Sequence, residues 1–165
     1  MARWDSEKAV TQTVLDRLID REPQSSSETT PARAQSVRQL KAGLRRDLEW
    51  LLNTRSTPEP AGDEYEHLSR SLFNYGLPDI TSLHVHSSKD RQRLARMLET
   101  AIALFEPRLD RVKVIMLEPG ATRVPVLRFQ VEAMLKMDPA PELISFDTVL
   151  QLTSGEYQVR GEASA

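Results

Sequence analysis

Between residues 124 and 136 the side chains follow a period of two. Leu127, Phe129, Val131, Ala133 and Leu135 fall on one face, and Arg128, Gln130, Glu132 and Lys136 on the other. Side chains alternate faces only in a strand, so this segment has to be a strand with one buried and one solvated side. At the rise of a strand it would reach about 40 Å, which is longer than most. Pro125 near its start suggests an edge or an end there. Shorter strands are expected at 111–117, 143–152 and 157–159, with turns at Pro119-Gly120 and Ser154-Gly155.

Upstream of residue 107 the period is helical. Val37, Leu40, Leu44, Leu48 and Leu51 recur at three and four across 33–53, forming one apolar stripe. A short helix is expected at about 65–73 with Leu68 and Leu72 inward, stopped by Asn74, Gly76 and Pro78. Another is expected over about 89–105, capped by Ser87 or Ser88, with Leu94, Met97, Leu98, Ala101 and Phe105 buried. Pro107 disfavours helical geometry at Glu106 and ends it. Helices followed by antiparallel strands give an α+β fold, with helices on one face of a small antiparallel sheet.

Before this domain, Val10, Val14 and Leu18 at fourfold spacing mark an amphipathic helix within 1–21. Residues 22–32 are rich in Ser, Thr and Pro with nothing apolar to bury, which reads as a flexible linker. The first helix is then a tethered arm or packs back on the domain, and the sequence leaves both open. The organisation expected is helix 1–21, linker 22–32, domain 33–160 and a frayed tail at 161–165.

Composition bounds the chemistry. There are no cysteines, which excludes disulfides, thiolate catalysis and cysteine-ligated metals. The net charge of −2 gives no overall attraction to nucleic acid or anionic membrane. No apolar run reaches the length of a membrane span or of a signal-peptide core, so a soluble cytoplasmic protein is expected. Gly-rich phosphate loops and a nucleophile elbow are absent. His84 and His86, two apart, could share a metal with Asp79 or Asp90, but two histidines in a polar loop are more commonly plain surface residues. No cofactor is expected.

Residues 89–113 hold seven basic side chains against four acids. Few aromatics interleave with them, so a basic face for an acidic protein partner fits better than a nucleic-acid surface. Trp50 points away from the apolar stripe of its helix. It is either an interface anchor or a residue covered by another element of the chain. In Phe105-Glu106-Pro107-Arg108-Leu109, opposite charges flank a rigid residue. Local physics reads this as a helix stop with an incidental ion pair, which contributes little if exposed.

Several segments, in order, resemble a known family. They are Val14-Leu15-Asp16-Arg17-Leu18, Ser36-Val37, and Asp47-Leu48-Glu49-Trp50-Leu51-Leu52-Asn53-Thr54-Arg55. Ser71-Leu72-Phe73-Asn74-Tyr75-Gly76-Leu77-Pro78-Asp79, the Glu106-Pro107-Arg108 motif and the strand pattern over 112–159 follow. The chain resembles the TssE family, the small baseplate subunit of bacterial type VI secretion systems, related to the wedge protein that starts sheath assembly in contractile phage tails. The resemblance covers nearly the whole chain apart from the linker and the tail.

It implies a structural, non-enzymatic subunit in the cytoplasmic baseplate at the inner-membrane side. By resemblance Glu106, Pro107 and Arg108 would dock on the core bundle of the larger wedge proteins TssF and TssG, with TssK attached. A strand edge, from the 124–136 strand or the C-terminal hairpin, would be offered to the sheath proteins TssB and TssC. No nucleic acid and no membrane insertion are implied. The alternative is a peptidoglycan-acting, lysozyme-like enzyme, for which no acid and nucleophile pair is recognisable.

Overall fold

The computed structural model describes residues 13–19, 33–59, 62, 64–80, 83–84, 87–117, 126–138 and 140–161. The expected linker, the Pro119-Gly120 turn, Pro125, His86 and most of the tail lie outside the described residues. The chain forms two compact units, residues 1–45 and 46–165.

In the first unit, helix α1 (Val14–Leu18) begins at Thr13, whose hydroxyl oxygen accepts the Asp16 N–H at 3.1 Å. The Thr13 hydroxyl in turn donates to the Asp16 carboxylate at 2.7 Å. Asp16 is buried, and a Cβ on Gly43 would lie only 2.6 Å from its Oδ2. The described turn of α1 therefore packs against α2 with the Asp16 carboxylate close over Gly43, where an added Cβ would make that side chain shift. The apolar side chains Val14 and Leu18 face outward instead.

Helix α2 (Arg33–Asn53) runs as expected through the boundary between the units. In the second unit its residues Leu48, Leu51 and Leu52 are buried. Two short elements follow, α3 (Glu66–Ser69) and a 3-10 turn (Leu72–Asn74). The expected single helix with Leu68 and Leu72 inward does not form, and these residues are 40% and 81% exposed. Serine hydroxyls divide it. Ser69 Oγ donates to the Glu66 carbonyl at 2.8 Å and Ser71 Oγ to the Leu68 carbonyl at 2.7 Å. Ser71 also accepts from the Phe73 N–H, so it caps a new turn and interrupts the old one.

Helix α4 (Ser88–Phe105) starts under the Ser87 cap, whose oxygen accepts from the Asp90 N–H. Its buried face is Leu94, Leu98, Ala101 and Ile102. Ile102 replaces Met97 and Phe105 of the expected face, because the stripe follows i, i+4, i+7 and i+8 and leaves those two half-buried at its rim.

Four strands complete the unit: β1 (Leu109–Met116), β2 (Val126–Leu135), β3 (Glu142–Gln151) and β4 (Glu156–Val159). Each pairs antiparallel with the next, in the order β1-β2-β3-β4. All five inward residues expected on β2 are buried; Leu127, Phe129, Val131 and Ala133 stand opposite Leu150, Thr148, Phe146 and Ile144 of β3, and Leu135 opposite Glu142. The expected α+β architecture is what the chain adopts. One expectation changes: β2 lies inside the sheet, flanked on both sides, so it offers no free edge. The edges are β1 and β4.

Both edges carry a side-chain clip. In an antiparallel ladder every second residue turns its N–H and C=O away from its partner strand. The Leu117 N–H bonds the Arg128 carbonyl, so Val114 and Met116 face outward. The Val114 N–H donates to Glu99 of α4 at 2.9 Å. On β4 the Arg160 N–H reaches the Asp147 carbonyl, so Tyr157 and Val159 face outward. Asn53 of α2 takes both Tyr157 groups: its amide donates to the carbonyl at 2.8 Å and its oxygen accepts the N–H at 2.9 Å. A helix side chain thus stands where a fifth strand would pair.

Tyr157 is fully buried, and its ring meets Phe129 edge-on at 6.1 Å. Its hydroxyl has no hydrogen-bond partner. Burial pushes its pKa up to about 12, with the Arg55 charge opposing. Above pH ~10 the unfolded phenol ionises while the folded one keeps its proton. The fold therefore loses stability as pH rises from about 10 through 12, by about 2–3 kcal/mol in all. Tyr157→Phe removes that component and an unsatisfied buried hydroxyl. It should be neutral to about 1 kcal/mol stabilising at pH 7 and should flatten the alkaline loss, leaving the smaller part from Tyr75, whose pKa burial also raises. Urea unfolding at pH 7 and pH 11 measures both. Equal loss in variant and parent at pH 11 would be inconsistent with this role.

Candidate functional site

Helix α4 ends because Pro107 follows Glu106; the last helical bond is from the Glu106 N–H to the Ile102 carbonyl at 2.9 Å. The Leu109 N–H then returns to the Glu106 carbonyl at 3.1 Å, closing a tight corner that delivers the chain into β1. Pro107 stands exposed at the apex, and its carbonyl accepts from Lys136 Nζ at 3.0 Å.

Within this corner the ion pair is far from incidental. Glu106 is only 5% exposed. Its Oε1 accepts from the Arg108 N–H and from Arg108 Nε, the latter at 2.6 Å, while its Oε2 accepts from Nη2. The geometry is a bidentate fork, the strongest form of such a pair. Local sequence reads an incidental pair that contributes little if exposed; that condition is not met, because the Glu106 carboxylate is folded inward and desolvation makes the pair matter.

Arg108 also spans the unit. Its Nη2 donates to Asp47 Oδ2 on α2 at 2.7 Å. The other Asp47 oxygen accepts from Arg46 Nε at 3.0 Å and Nη2 at 2.8 Å. The Arg46 guanidinium then lies over the Trp50 ring, 5.0 Å from its centroid. This is within the reach of a cation–π contact. A continuous path results: Glu106, Arg108, Asp47, Arg46, Trp50. The sequence singled out its two ends separately, and the structure joins them.

Burial alone would lower the Arg108 pKa, but the hydrogen bonds and charges of Glu106 and Asp47 raise it further above its ordinary value. The guanidinium is a permanent cation held by two carboxylates. Its Nη1 is buried with no partner among the described residues, so Arg108 is committed to the interior. What the site turns outward is Trp50, 53% exposed, together with Pro107.

Asp47, Arg46 and Tyr75 were missed by sequence reasoning. Trp50 follows Asp47 by three residues and Arg46 by four, spacings that bring it beside each of them on the helix, a signal that was legible. The 61-residue separation between Asp47 and Arg108 carries no such signal. Tyr75 stands edge-on to Phe105 at 5.2 Å, and its pKa is raised by burial and then by the Asp47 and Glu106 charges.

His84 is exposed, and its N–H donates to the Asp90 carboxylate at 3.2 Å. Asp79 pairs with Arg55 at 3.4 Å. Among the described residues no group of three or more His, Asp or Glu side chains is placed to hold a metal ion. Nor is any helix among them long and apolar enough to cross a membrane.

A family model described as baseplate wedge protein gp25 matches residues 38–140. No curated protein matches. Among solved structures, a chain of "The baseplate complex from the type VI secretion system" is similar over 69% of this chain and 96% of that chain, at 21% identity and a TM-score of 0.46.

Proposed function

This chain belongs to the baseplate wedge protein gp25 family, and from that premise we propose that it is the small, TssE-like subunit of a type VI secretion baseplate. Its work is to join larger parts, with no bond-breaking step. The observation that carries this reading is the network from Glu106 to Trp50. It spends five side chains on holding a corner and a helix face in one geometry, and it ends on an exposed tryptophan. An exposed Trp, fixed before contact, is what a protein-docking surface requires. The carboxylates of the site are engaged by guanidinium groups, an arrangement suited to rigidity.

In this reading Trp50 and Pro107 face the larger wedge subunits TssF and TssG, with TssK attached to them. Glu106 and Arg108 act from beneath by fixing the surface. The sheath proteins TssB and TssC meet the C-terminal hairpin. With β2 interior, β4 is the part of the proposed supplier that remains; beyond the Asn53 clip Val159 turns its backbone N–H toward the open edge while its side chain stays buried.

Val159→Pro tests the sheath role. Val159 turns its N–H outward, so proline there removes a donor from the edge while leaving the β3 ladder bonds in place. Baseplates are expected to assemble and sheath growth, followed with a fluorescent sheath subunit, is expected to fail. Sheaths of normal number and length would refute the assignment of this edge.

A further inference from the structure

Beside α4 lies a groove of about 1050 Å³, open to solvent. Met97, Ala101, Leu104 and Phe105 of α4 line it, together with Pro58 and Pro78. Its volume is at the top of the range for small-molecule sites. From Arg93 to Leu104 it follows three turns of helix, about 17 Å. A slot of that length fits a peptide segment better than a compact ligand.

The charge at its rim is one-sided. Arg93 and Arg96 line it, both exposed, and no carboxylate among the described residues pairs with either. Arg55 and Asp79 also line it and neutralise one another in an exposed pair at 3.4 Å. Among the described residues the lining therefore carries two positive charges, those of Arg93 and Arg96, that no carboxylate pairs, on a chain whose net charge is −2. Next to the wall residues Ser69 and Asn74, Leu72 and Phe73 project into solvent at 81% and 51% exposure. Large apolar side chains this open, beside an apolar floor, signal contact with another protein.

We infer that this groove seats an acidic amphipathic helix of a partner protein. The partner's apolar side chains, at i, i+3 or i+4 and i+7, lie on Met97, Ala101 and Leu104. Its carboxylates meet Arg93 and Arg96, where guanidinium can bind them bidentately. This surface is separate in chemistry from Trp50 and Pro107, and it stands whether or not those residues dock on wedge subunits.

The test places a photo-crosslinking amino acid at Thr100, an exposed residue of the groove, in the full chain in its native cells. Mass spectrometry then identifies the crosslinked peptide. The expected product is a partner segment with net negative charge and apolar residues at helical spacing. Arg93→Glu with Arg96→Glu should cut its yield about tenfold or more, since like charges facing across a contact cost several kcal/mol. As surface changes these should leave the urea midpoint of unfolding at that of the parent. No crosslink, a crosslink to a basic segment, to a second copy of this chain, or to a segment without helical spacing, or a yield indifferent to charge reversal, would each overturn the inference.

Discussion

Arg108→Ala is expected to lower the stability of the fold by about 3 kcal/mol, which for a chain of this size moves Tm by about 6–12 °C. The size of the effect follows from what the substitution leaves behind. Glu106 is buried and loses both arms of its fork, while Asp47 keeps only Arg46. Removing one partner of a buried pair strands the other as an uncompensated charge, and that costs more than the pair contributed. Arg108 keeps a fifth of its side chain exposed, which places the effect at the lower end of such losses. Arg108→Lys keeps the charge and loses the fork, so an intermediate loss is expected. Differential scanning calorimetry distinguishes these outcomes. An alanine variant within 1 °C of the parent would mean that the corner is held by other contacts. The same reasoning makes Arg108→Ala a poor probe of docking, since lost assembly would follow from lost folding.

The second large effect is expected at Gly76. Its φ is +113°, a region side chains avoid. A Cβ there would sit 2.5 Å from the Thr54 carbonyl oxygen and 2.9 Å from its carbon, both backbone atoms. The crowding has a purpose. Leu77 donates to the Thr54 carbonyl at 2.8 Å and Ser56 donates to the Leu77 carbonyl at 2.9 Å, a parallel bridge that ties the end of α2 to the loop before α4. That bridge draws Gly76 onto Thr54 and sets Tyr75 against Phe105. Gly76→Ala must open the bridge or strain the backbone. A cost of about 3 kcal/mol is expected, from strain of about 1–3 kcal/mol together with weakened backbone bonds of about 1 kcal/mol each. Denaturant unfolding gives the number, and near-ultraviolet circular dichroism reports the loss of the Tyr75–Phe105 contact. A variant within 0.5 kcal/mol of the parent, with its aromatic signal intact, would contradict the role given to this glycine.

Much of the fold was legible because its strongest signals are local. The alternation of Leu127, Phe129, Val131, Ala133 and Leu135 placed the inner face of β2 correctly, since one residue of slip would turn all five to solvent. The bounds of α2 were equally plain, and the cap of α4 was narrowed to Ser87 or Ser88, of which Ser87 is the one used. Leu68 and Leu72 misled because their spacing suits a helix while the serine hydroxyls between and beside them favour turns. The interior place of β2 was hidden, because alternation reveals which face is buried and says nothing about which neighbours pair.

The candidate site was half legible. Trp50, Glu106, Pro107 and Arg108 stood out as residue types in particular local settings. Asp47, which joins them, is an ordinary polar residue of an amphipathic helix until the fold brings it to Arg108. Asn53 and Glu99 share that character. Each reads as a solvated side chain in sequence, and each satisfies the backbone of a strand edge only after the helices pack.

The central claim is that Trp50, fixed by Arg46 and the carboxylate network beneath it, is a docking anchor for larger baseplate subunits. Trp50 is half exposed, so Trp50→Ala should leave the fold intact while removing the contact. Co-purification of the variant with TssF and TssG, beside the parent and Leu143→Ala as an exposed apolar control, is the direct measurement. Recovery of the wedge subunits is expected to fall about tenfold or more with Trp50→Ala, at unchanged Tm and with the control unaffected. Recovery equal to that of the parent would contradict the claim.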